Sequence, residues 1–280
     1  MYTYMHDYEK QERYAVPHGY EKHSQGYERF TLVDHSVGSV HMGVGICELQ
    51  PNGSVDFCVH ANEKGIYVLG GELELRRDRE ALRLSADDYA LVPYGVLHAF
   101  RNRGNKIARW FEMQSPQPKP LGRWEDTFFI GGGDWPKEVV QPDLGDPRTR
   151  GLGHFKEQGA QFPAGIGFLG LKVMQFMGRE FGTHHFFMMR GELAVGGAWG
   201  LHDHPIEEMF FPLSGEAEME IEGERYPLRP GDAAWVGVGA SHSCSQRGNV
   251  PFRWLETQAP QFPTQNAIRN YAHWDKLRGV

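Results

Sequence analysis

Hydrophobic and polar residues alternate over short runs along most of the chain, and glycine, proline and aspartate separate the runs. In GEAEMEIEGERYPLRPGDAAWVGVGASH, the segment EMEIEGERYPL alternates with a period of two, which predicts a hairpin turning at Glu222 and Gly223. That stretch has no helical period. Many short strands without intervening helices are typical of an antiparallel sandwich or barrel, so the pattern predicts an all-β protein.

The same pattern occurs twice. Residues 57–118 align with residues 201–262 at a constant offset of 144 without a gap, and 22 of the 62 pairs are identical. Unrelated segments would share roughly one residue in twenty, so the match indicates duplication of one structural unit. Gly71 pairs with Gly215 and His98 with His242. The sequence therefore predicts two copies of one β domain.

The domain boundaries follow from the repeat and from composition. We assign residues 1–120 to an N-terminal barrel with a tyrosine-rich arm, 121–165 to a linker rich in glycine, proline and aspartate, and 166–280 to a C-terminal barrel. The first 30 residues hold six of the eleven tyrosines. We expect this arm to pack on the other barrel or on a partner subunit. The C-terminal tail NAIRNYAHWDKLRG is predicted to form a short helix.

Charge and cysteine content narrow the function classes. The net charge is −7 with no basic stripe, which argues against nucleic acid as a partner. No apolar run approaches the roughly 20 residues of a membrane span, and the N-terminus lacks the apolar core of a secretory signal, so we expect no membrane partner and a cytoplasmic location. The three cysteines are too few and too dispersed for a disulfide framework and are expected to be reduced.

The second copy contains a set of metal-ligand residues. His202 and His204 are two apart and would project from one face of a strand, Glu208 follows at an even spacing, and His242 would arrive from a different strand. Three imidazoles and one carboxylate suit Fe(II), Mn(II), Ni(II) or Zn(II). We therefore predict one divalent metal per chain in the C-terminal barrel, and the donor types leave the choice among these ions open; the family resemblance described below implies Fe(II) as the first choice.

The spacing of these residues resembles a known family. Gly196-x5-His202-x-His204-x3-Glu208-x6-Gly215, followed by Gly231-x5-Gly237-x-Gly239-x2-His242, is similar to the two signature motifs of the cupin superfamily. This resemblance implies two tandem cupin barrels of the double-stranded β-helix, or jelly-roll, type.

At the four ligand positions the first copy has Cys58, His60, Lys64 and His98. A charged ammonium cannot bind a metal, so we expect this site to be metal-free. A Cys-His-His site for zinc or iron, with Lys64 turned away, stays open as an alternative.

Comparison of the two copies also sorts the remaining motif residues. Trp254, Glu256 and Gln258 have identical counterparts in the first copy and are interpreted as barrel framework. Glu207 likewise recurs, as Glu63, and is interpreted as structural.

Two further residues are candidates for the pocket. Gln246 replaces Asn102 and is either a hydrogen-bond donor to the substrate or a strand-end residue. His185 precedes the metal strand and could lie near the ion as a general base, although His41 at the matching position of the first copy favours a structural role.

The resemblance implies a function only in outline. A small polar organic substrate would approach the metal, and an intact site of three histidines and one glutamate is similar to those of quercetinase-like and gentisate-type dioxygenases, which makes a non-haem Fe(II) dioxygenase the first hypothesis. The second is a hydrolase or isomerase using Mn, Ni or Zn, because the layout also resembles the (S)-ureidoglycine aminohydrolases. In that family a Glu and a Gln take the places of His202 and His242. The third is a non-enzymatic binding protein. A homodimer is plausible by analogy.

Overall fold

The structure, a computed structural model, describes residues 1–11, 13–120, 122, 125–143, 145–146, 148, 160–161, 167–261 and 269–270. Almost all of their regular structure is β-strand, which confirms the predicted fold class. One-turn 3-10 helices occur at Tyr8–Lys10, His35–Val37 and Arg179–Phe181. The chain divides into two compact units, each built around one barrel, and each is described separately below.

The chain starts with strand β1 (Tyr2–Met5), which belongs to the second barrel. The first barrel is formed by the strands β2 (Ser24–Val33), β3 (Gly43–His60), β4 (Glu63–Gly70), β5 (Glu72–Arg77), β6 (Glu80–Ser85), β7 (Tyr89–Val92), β8 (His98–Arg101), β9 (Ala108–Ser115) and β10 (Thr127–Gly131). Their hydrogen-bonded order is β6-β5-β8-β3-β9-β4-β7, with β2 and β10 also paired to β3. All of these pairings are antiparallel.

The second barrel repeats this topology. Its strands are β11 (Ala160–Gln161), β12 (Phe168–Met177), β13 (Phe187–Asp203), β14 (Glu207–Ser214), β15 (Glu216–Ile221), β16 (Glu224–Leu228), β17 (Ala233–Val236), β18 (His242–Arg247), β19 (Phe252–Ala259) and β20 (Arg269–Asn270). The order β16-β15-β18-β13-β19-β14-β17 matches the first barrel strand for strand, and β1 adds to the β17 edge. The duplication predicted from the repeat is thus a duplication of strand order.

Glycine positions in the repeat have a steric cause. Gly215 has φ 75°, and a Cβ there would lie 2.3 Å from the carbonyl oxygen of Pro251. Gly71 meets the same constraint in the first barrel. The predicted hairpin between β15 and β16 also forms, because Glu222 and Gly223 both adopt the positive φ that a tight two-residue turn requires.

Each barrel encloses its own apolar core. In the first, the Trp110 ring stacks with Phe100 at a centroid distance of 5.6 Å. In the second, Trp254 lies 5.3 Å from Trp199 and stacks on Phe252 at 5.2 Å. Burial of each such ring contributes on the order of 2–3 kcal/mol, so every barrel has an apolar interior of its own.

The start of the tyrosine-rich arm, residues 1–11, packs on the second barrel, whereas Tyr20 and Tyr27 belong to the core of the first. Tyr2–Met5 pairs with Ala233–Val236 in antiparallel register, and the Tyr4 ring stacks on Tyr226 at 4.7 Å. The compact units therefore differ from the predicted boundaries. Residues 1–11 belong with the second barrel, although the chain from residue 13 onward enters the first.

The predicted linker and tail also differ from the structure. Strand β10 lies inside the proposed linker and pairs with β3, so this part of 121–165 completes the first barrel. In the predicted C-terminal helix, Arg269–Asn270 instead pairs as a strand with His202–Asp203. The rest of that predicted helix lies outside the described residues. Among the residues that are described, none form a helix long and apolar enough to cross a membrane.

Candidate metal centre

Three strand segments bring the predicted ligands together. His202 lies near the end of β13 and His204 just beyond it, while Glu208 lies at the start of β14 and His242 at the start of β18. His202 and His242 are directly opposite each other in the antiparallel β13–β18 pair. Residues opposite each other on neighbouring strands face the same side of a sheet, so these side chains converge inside the barrel.

The four side chains form a compact, buried cluster. The Nε2 atoms of His204 and His242 each lie 3.0 Å from one oxygen of the Glu208 carboxylate. The imidazole centroid of His202 lies 4.3 Å from that of His242 and 5.6 Å from that of His204. All four side chains are buried, so water does not compete strongly for these atoms.

Backbone carbonyls select the tautomer of the histidines. The Nδ1 atom of each of the three imidazoles lies 2.8–3.1 Å from a carbonyl oxygen two residues away in sequence. A carbonyl only accepts hydrogen bonds, so each Nδ1 carries a proton, and each ring in its neutral form presents the Nε2 lone pair to the cluster. This is the arrangement of histidines that bind metals through Nε2.

Several atoms of the cluster lack hydrogen bonds. His204 Nε2, His242 Nε2 and Glu208 Oε2 are buried without a hydrogen-bond partner in the part of the chain that the structure describes. Burying an unpaired polar atom costs about 1–3 kcal/mol. A divalent cation would satisfy all three atoms at once, and nitrogen and carboxylate oxygen are suitable donors for first-row metals. The residues therefore fit the metal that the spacing predicts.

Electrostatic interactions within the cluster are strong. Burial lowers the pKa of His202 to about 4. Burial also lowers the pKa of His204, but the adjacent Glu208 carboxylate outweighs this effect and raises it to about 9. Burial opposes ionisation of Glu208, yet His204 and His242 hold its pKa well below its usual range. A carboxylate kept ionised beside imidazoles is ready to bind a cation.

Strand β19 contributes a second row of polar residues to this site. Gln258 lies directly opposite Glu208, and its Nε2 donates to Glu208 Oε1 at 2.6 Å. It also donates to Glu256, which accepts a further hydrogen bond from Trp254 Nε1 at 2.9 Å. Gln258, interpreted as barrel framework with Trp254 and Glu256, therefore also contacts a metal-ligand candidate. The even spacing of these residues, which places them on one face of a strand, was the sequence signal that could have indicated this contact.

Glu256 is held in its protonated form. Burial, with a contribution from the charge of Glu208, raises the pKa of Glu256 to about 8. Its counterpart Glu112 behaves differently, because the cations Lys64 and Arg29 outweigh burial and lower its pKa. The same residue type thus has opposite protonation states in the two barrels.

This raised pKa predicts a pH-dependent stability for the metal-free protein. The unfolded chain ionises Glu256 near the usual pKa of 4.5, whereas the folded protein retains the proton to about pH 8. The unfolded state therefore binds fewer protons in this window, and stability falls as the pH rises from about 5 to 8. Glu256→Gln removes this loss, so its Tm should exceed the wild-type Tm by a few degrees at pH 8 and by little at pH 5.

The test is differential scanning calorimetry of chelator-treated protein across this pH range. Glu224→Gln, which removes an exposed carboxylate of the same barrel, serves as the control and should show a constant Tm difference. If the Tm difference between Glu256→Gln and the wild type were also constant across this pH range, the raised pKa assigned to Glu256 would be wrong.

Two predicted pocket residues lie elsewhere. The Gln246 side chain accepts from the Gly196 backbone N–H at 2.9 Å and donates to the carbonyl of Val250 at 2.7 Å. Asn102 binds the backbone in the same way in the first barrel, donating to Leu49 and Lys106. These backbone hydrogen bonds favour the alternative of a strand-end role for Gln246 over a role as substrate donor.

His185 belongs to the compact unit of the first barrel. Its backbone N–H donates to Glu63 Oε2 at 3.0 Å, and the N–H of His184 donates to the same carboxylate. The His185 ring lies 6.1 Å from that of Tyr94. These contacts of His185 are thus those of a structural residue of the first barrel's unit. Glu63, the counterpart of Glu207, caps the backbone here, and Glu207 is itself buried.

The matching site of the first barrel contains both a Cys-His-His cluster and a buried lysine. Cys58 Sγ lies 3.7 Å from His60 Nε2 and 3.6 Å from His98 Nε2, so a Cys-His-His cluster does form. Lys64 is buried and pairs with Glu112, at 3.5 Å between Nζ and Oε1. Burial, reinforced by Lys64, lowers the pKa of His98 to about 3. An ammonium therefore occupies the place that a ligand carboxylate has in the second barrel.

Comparison with known proteins identifies the type of domain. The family model described as "Cupin domain" matches residues 45–113 and 189–257, which form the β3–β9 and β13–β19 segments. The chain is 30% identical over 128 residues to "Polyketide synthase CurC" of Streptomyces cyaneus, covering 44% of this chain and 83% of that protein. It is 36% identical over 97 residues to "Tetracenomycin polyketide synthase protein TcmJ" of Streptomyces glaucescens, covering 34% of this chain and 65% of that protein.

Among solved structures, the fold is similar to that of a salicylate 1,2-dioxygenase from Pseudaminobacter salicylatoxidans. The TM-score is 0.64 at 16% sequence identity, and the alignment covers 82% of this chain and 76% of that chain. At this identity the likeness concerns the fold of two tandem barrels alone.

Proposed function

The chain belongs to the cupin superfamily as a protein of two tandem cupin barrels, and on that basis we propose that it is a metal-dependent enzyme, a non-haem Fe(II) dioxygenase. Its working site would be the cluster of His202, His204, Glu208 and His242 in the second barrel. The observation that carries the proposal is the convergence of buried ligand atoms that have no hydrogen-bond partner among the described residues.

The donor set limits the chemistry. Three nitrogens and one oxygen would leave two positions open on a six-coordinate ion, enough for a substrate atom and a second small molecule. When bound, iron would supply Lewis acidity and one-electron chemistry that no side chain of this cluster provides. The first barrel, with Lys64 in place of the carboxylate, is not assigned this role.

The charge of the site favours an anionic substrate. Three neutral imidazoles and one carboxylate around a divalent ion leave one net positive charge. Glu256 adds no charge while it is protonated, since burial raises its pKa to about 8. A substrate that binds through an ionised oxygen, such as a phenolate, enolate or carboxylate, would neutralise the site.

The protein's own residues would position the reaction. Gln258 fixes the Glu208 carboxylate through its 2.6 Å hydrogen bond, and Glu256 holds a proton on the same strand face two residues away. The rings of Trp199 and Phe210 stack at 5.7 Å within the apolar core and would exclude water. Together these groups would orient a substrate and keep a proton available beside it.

The relatives suggest a substrate class. Two of them are named as polyketide synthase proteins, and the structural neighbour as a salicylate dioxygenase. Hydroxylated aromatic compounds are therefore the first substrates to test. This class also meets the requirement for an ionisable oxygen.

Oxygen uptake is the direct test. We expect the iron-loaded protein, containing about one iron per chain, to consume oxygen with at least one hydroxylated aromatic of a panel that includes salicylate, gentisate and catechol. Protein loaded with zinc, which has no redox chemistry, is the matched control and should consume none. Turnover that continues under argon would contradict the oxygenase proposal and indicate a hydrolase or isomerase. Binding of these compounds without turnover would contradict it too and indicate a binding protein.

A further inference from the structure

In the first barrel, one thiol faces two imidazoles. Cys58 Sγ lies 3.7 Å from His60 Nε2 and 3.6 Å from His98 Nε2, and all three side chains are buried. A thiol has a single proton, which it can donate to only one of these two nitrogens at a time. A metal ion bound to the sulfur would contact both nitrogens at once.

Each imidazole is oriented through its other ring nitrogen. The Nδ1 atom of His98 lies 2.9 Å from the carbonyl oxygen of Val96, which only accepts hydrogen bonds, so His98 carries its proton on Nδ1 and directs the Nε2 lone pair at Cys58. The Nδ1 atom of His60 lies 2.8 Å from Thr127 Oγ1, and a hydroxyl oxygen can accept its proton in the same way. Hydrogen bonds of this kind, made by the nitrogen that does not bind the ion, are typical of histidines at metal sites.

The distances within the cluster suit a shared ion. With metal–sulfur bonds of about 2.3 Å and metal–nitrogen bonds of about 2.0–2.1 Å, an ion at a tetrahedral or trigonal angle separates sulfur from nitrogen by about 3.5–3.8 Å. The distances of Cys58 Sγ from the two Nε2 atoms, 3.6 Å and 3.7 Å, both fall within this interval. The cluster therefore needs little rearrangement to bind a metal.

Two differences distinguish this cluster from the one in the second barrel. In the repeat, Cys58 has the position of His202 and Lys64 that of Glu208, while the other two positions are histidine in both copies. The first difference introduces a soft thiolate ligand, and soft ligands select zinc or Cu(I) over harder ions. The second replaces a ligand carboxylate by a cation.

This cation restricts the charge of the ion. Lys64 Nζ and Arg29 Nε lie 3.5 Å and 3.9 Å from the same oxygen of Glu112, so two cations already share one buried carboxylate. Burial raises the pKa of the Cys58 thiol to about 11, and among the charged groups Lys64 affects this pKa most, ahead of Glu112 and Asp56. The cluster therefore lies beside a cation that its surroundings compensate only in part.

An ion with one positive charge fits these surroundings. When it binds, the thiol proton leaves, so one positive charge replaces another and the net charge of the barrel does not change. A divalent ion would add one positive charge next to Lys64 in a buried site, which is unfavourable without a compensating anion. Cu(I) is the monovalent ion that prefers thiolate and imidazole ligands.

We propose that the first barrel binds one Cu(I) ion through Cys58 Sγ, His60 Nε2 and His98 Nε2. The sequence left zinc and iron as candidates for a Cys-His-His site here, and the charge of Lys64 favours copper over both. The two barrels would then select different ions, a divalent ion in the second and a monovalent ion in the first. This site is independent of the oxygenase proposed for the second barrel.

Titration of the metal-stripped protein with Cu(I) under argon, in competition with the coloured chelator bicinchoninate, tests the proposal. We expect one Cu(I) per chain whose binding depends on Cys58 and releases one proton. Cys58→Ala should weaken this binding by about 100-fold or more, because loss of a residue that merely supports a ligand already costs 10- to 100-fold. Cys47→Ala, which removes the other buried cysteine of the same barrel, is the matched control and should leave the affinity unchanged. Equal affinity in Cys58→Ala and the wild type would refute the site.

X-ray absorption at the copper edge identifies the ligands without any substitution. The wild-type protein loaded with one Cu(I) per chain should show one sulfur and two nitrogen neighbours around copper. Nitrogen neighbours alone would overturn the proposal, because they would place the copper among the histidines of the second barrel. This measurement decides alone if circular dichroism shows that Cys58→Ala does not fold.

Zinc titration tests the selection by charge. The number of zinc ions bound per chain should be the same in the wild type and in Cys58→Ala, because the first barrel should take no divalent ion. If Cys58→Ala bound one zinc fewer than the wild type, the assignment of a monovalent ion would be wrong. None of these measurements needs iron, oxygen or turnover, so their outcome is separate from that of the proposed function.

Discussion

Replacement of Glu208 by alanine should remove the metal from the second barrel and lower turnover by about 100-fold or more, because loss of a residue that merely supports a ligand already costs 10- to 100-fold. Glu208 is the one carboxylate in the cluster, and its oxygens lie 3.0 Å from two of the three imidazoles. Without it, three neutral rings would have to hold a divalent ion in a buried site with no compensating charge.

Metal content measured by plasma mass spectrometry on protein purified without chelators checks this expectation. Glu224→Ala, which removes an exposed carboxylate in the β15–β16 hairpin of the same barrel, is the matched control and should retain wild-type metal and activity. If Glu208→Ala retained activity, the assignment of the working site to this cluster would be wrong.

Replacement of Lys64 by methionine should lower the free energy of unfolding by about 3–5 kcal/mol, the usual cost of removing one partner from a buried ion pair. Lys64 and Glu112 are both buried, and the cation helps to hold the pKa of Glu112 below its usual range. Without Lys64, the carboxylate would stay charged beside Arg29 alone or take up a proton. Urea unfolding measures the change. The iron content of the folded protein should not change, because the ligand cluster proposed to bind iron lies in the other barrel.

A triple substitution separates the charge effect from packing, because Arg29 also pairs with Glu112. Lys64→Met combined with Glu112→Gln and Arg29→Met removes all three charges and should recover most of the lost stability, since replacement of a whole buried ion-pair network is often neutral. A triple variant no more stable than Lys64→Met would show that the loss comes from side-chain packing instead of the unpaired carboxylate.

Much of the fold followed from local pattern. The period-two alternation predicted strands, and the 144-residue offset predicted two barrels, which proved to have the same strand order. The clustering of His202, His204, Glu208 and His242 was also predictable. Strand geometry relates side chains two residues apart directly, and the repeat showed which of these residues changed between copies.

Contacts between distant strands could not be predicted in this way. The hydrogen bond from Gln258 to Glu208 joins residues 50 apart in sequence, and the repeat had suggested that Gln258 belongs to the framework because both copies contain it. Packing on the other barrel was likewise one of two alternatives for the tyrosine-rich arm, until the pairing of Tyr2 with Val236 placed the start of the arm along β17. His185, expected near the candidate metal site because it precedes β13 in sequence, belongs to the other compact unit.

The sequence by itself thus determined the fold class, the duplication and the residues of the candidate metal site, because these depend on strand period and short spacings. Only the tertiary structure decided which charged side chains lie close together. Glu112 and Glu256 are both glutamates and occupy the same position of the repeat. Lys64 and Arg29 keep Glu112 ionised, whereas burial and the charge of Glu208 keep Glu256 protonated. The physical reason is that protonation depends on the charges and burial around a group in space, and those are set by strand pairing across the barrel.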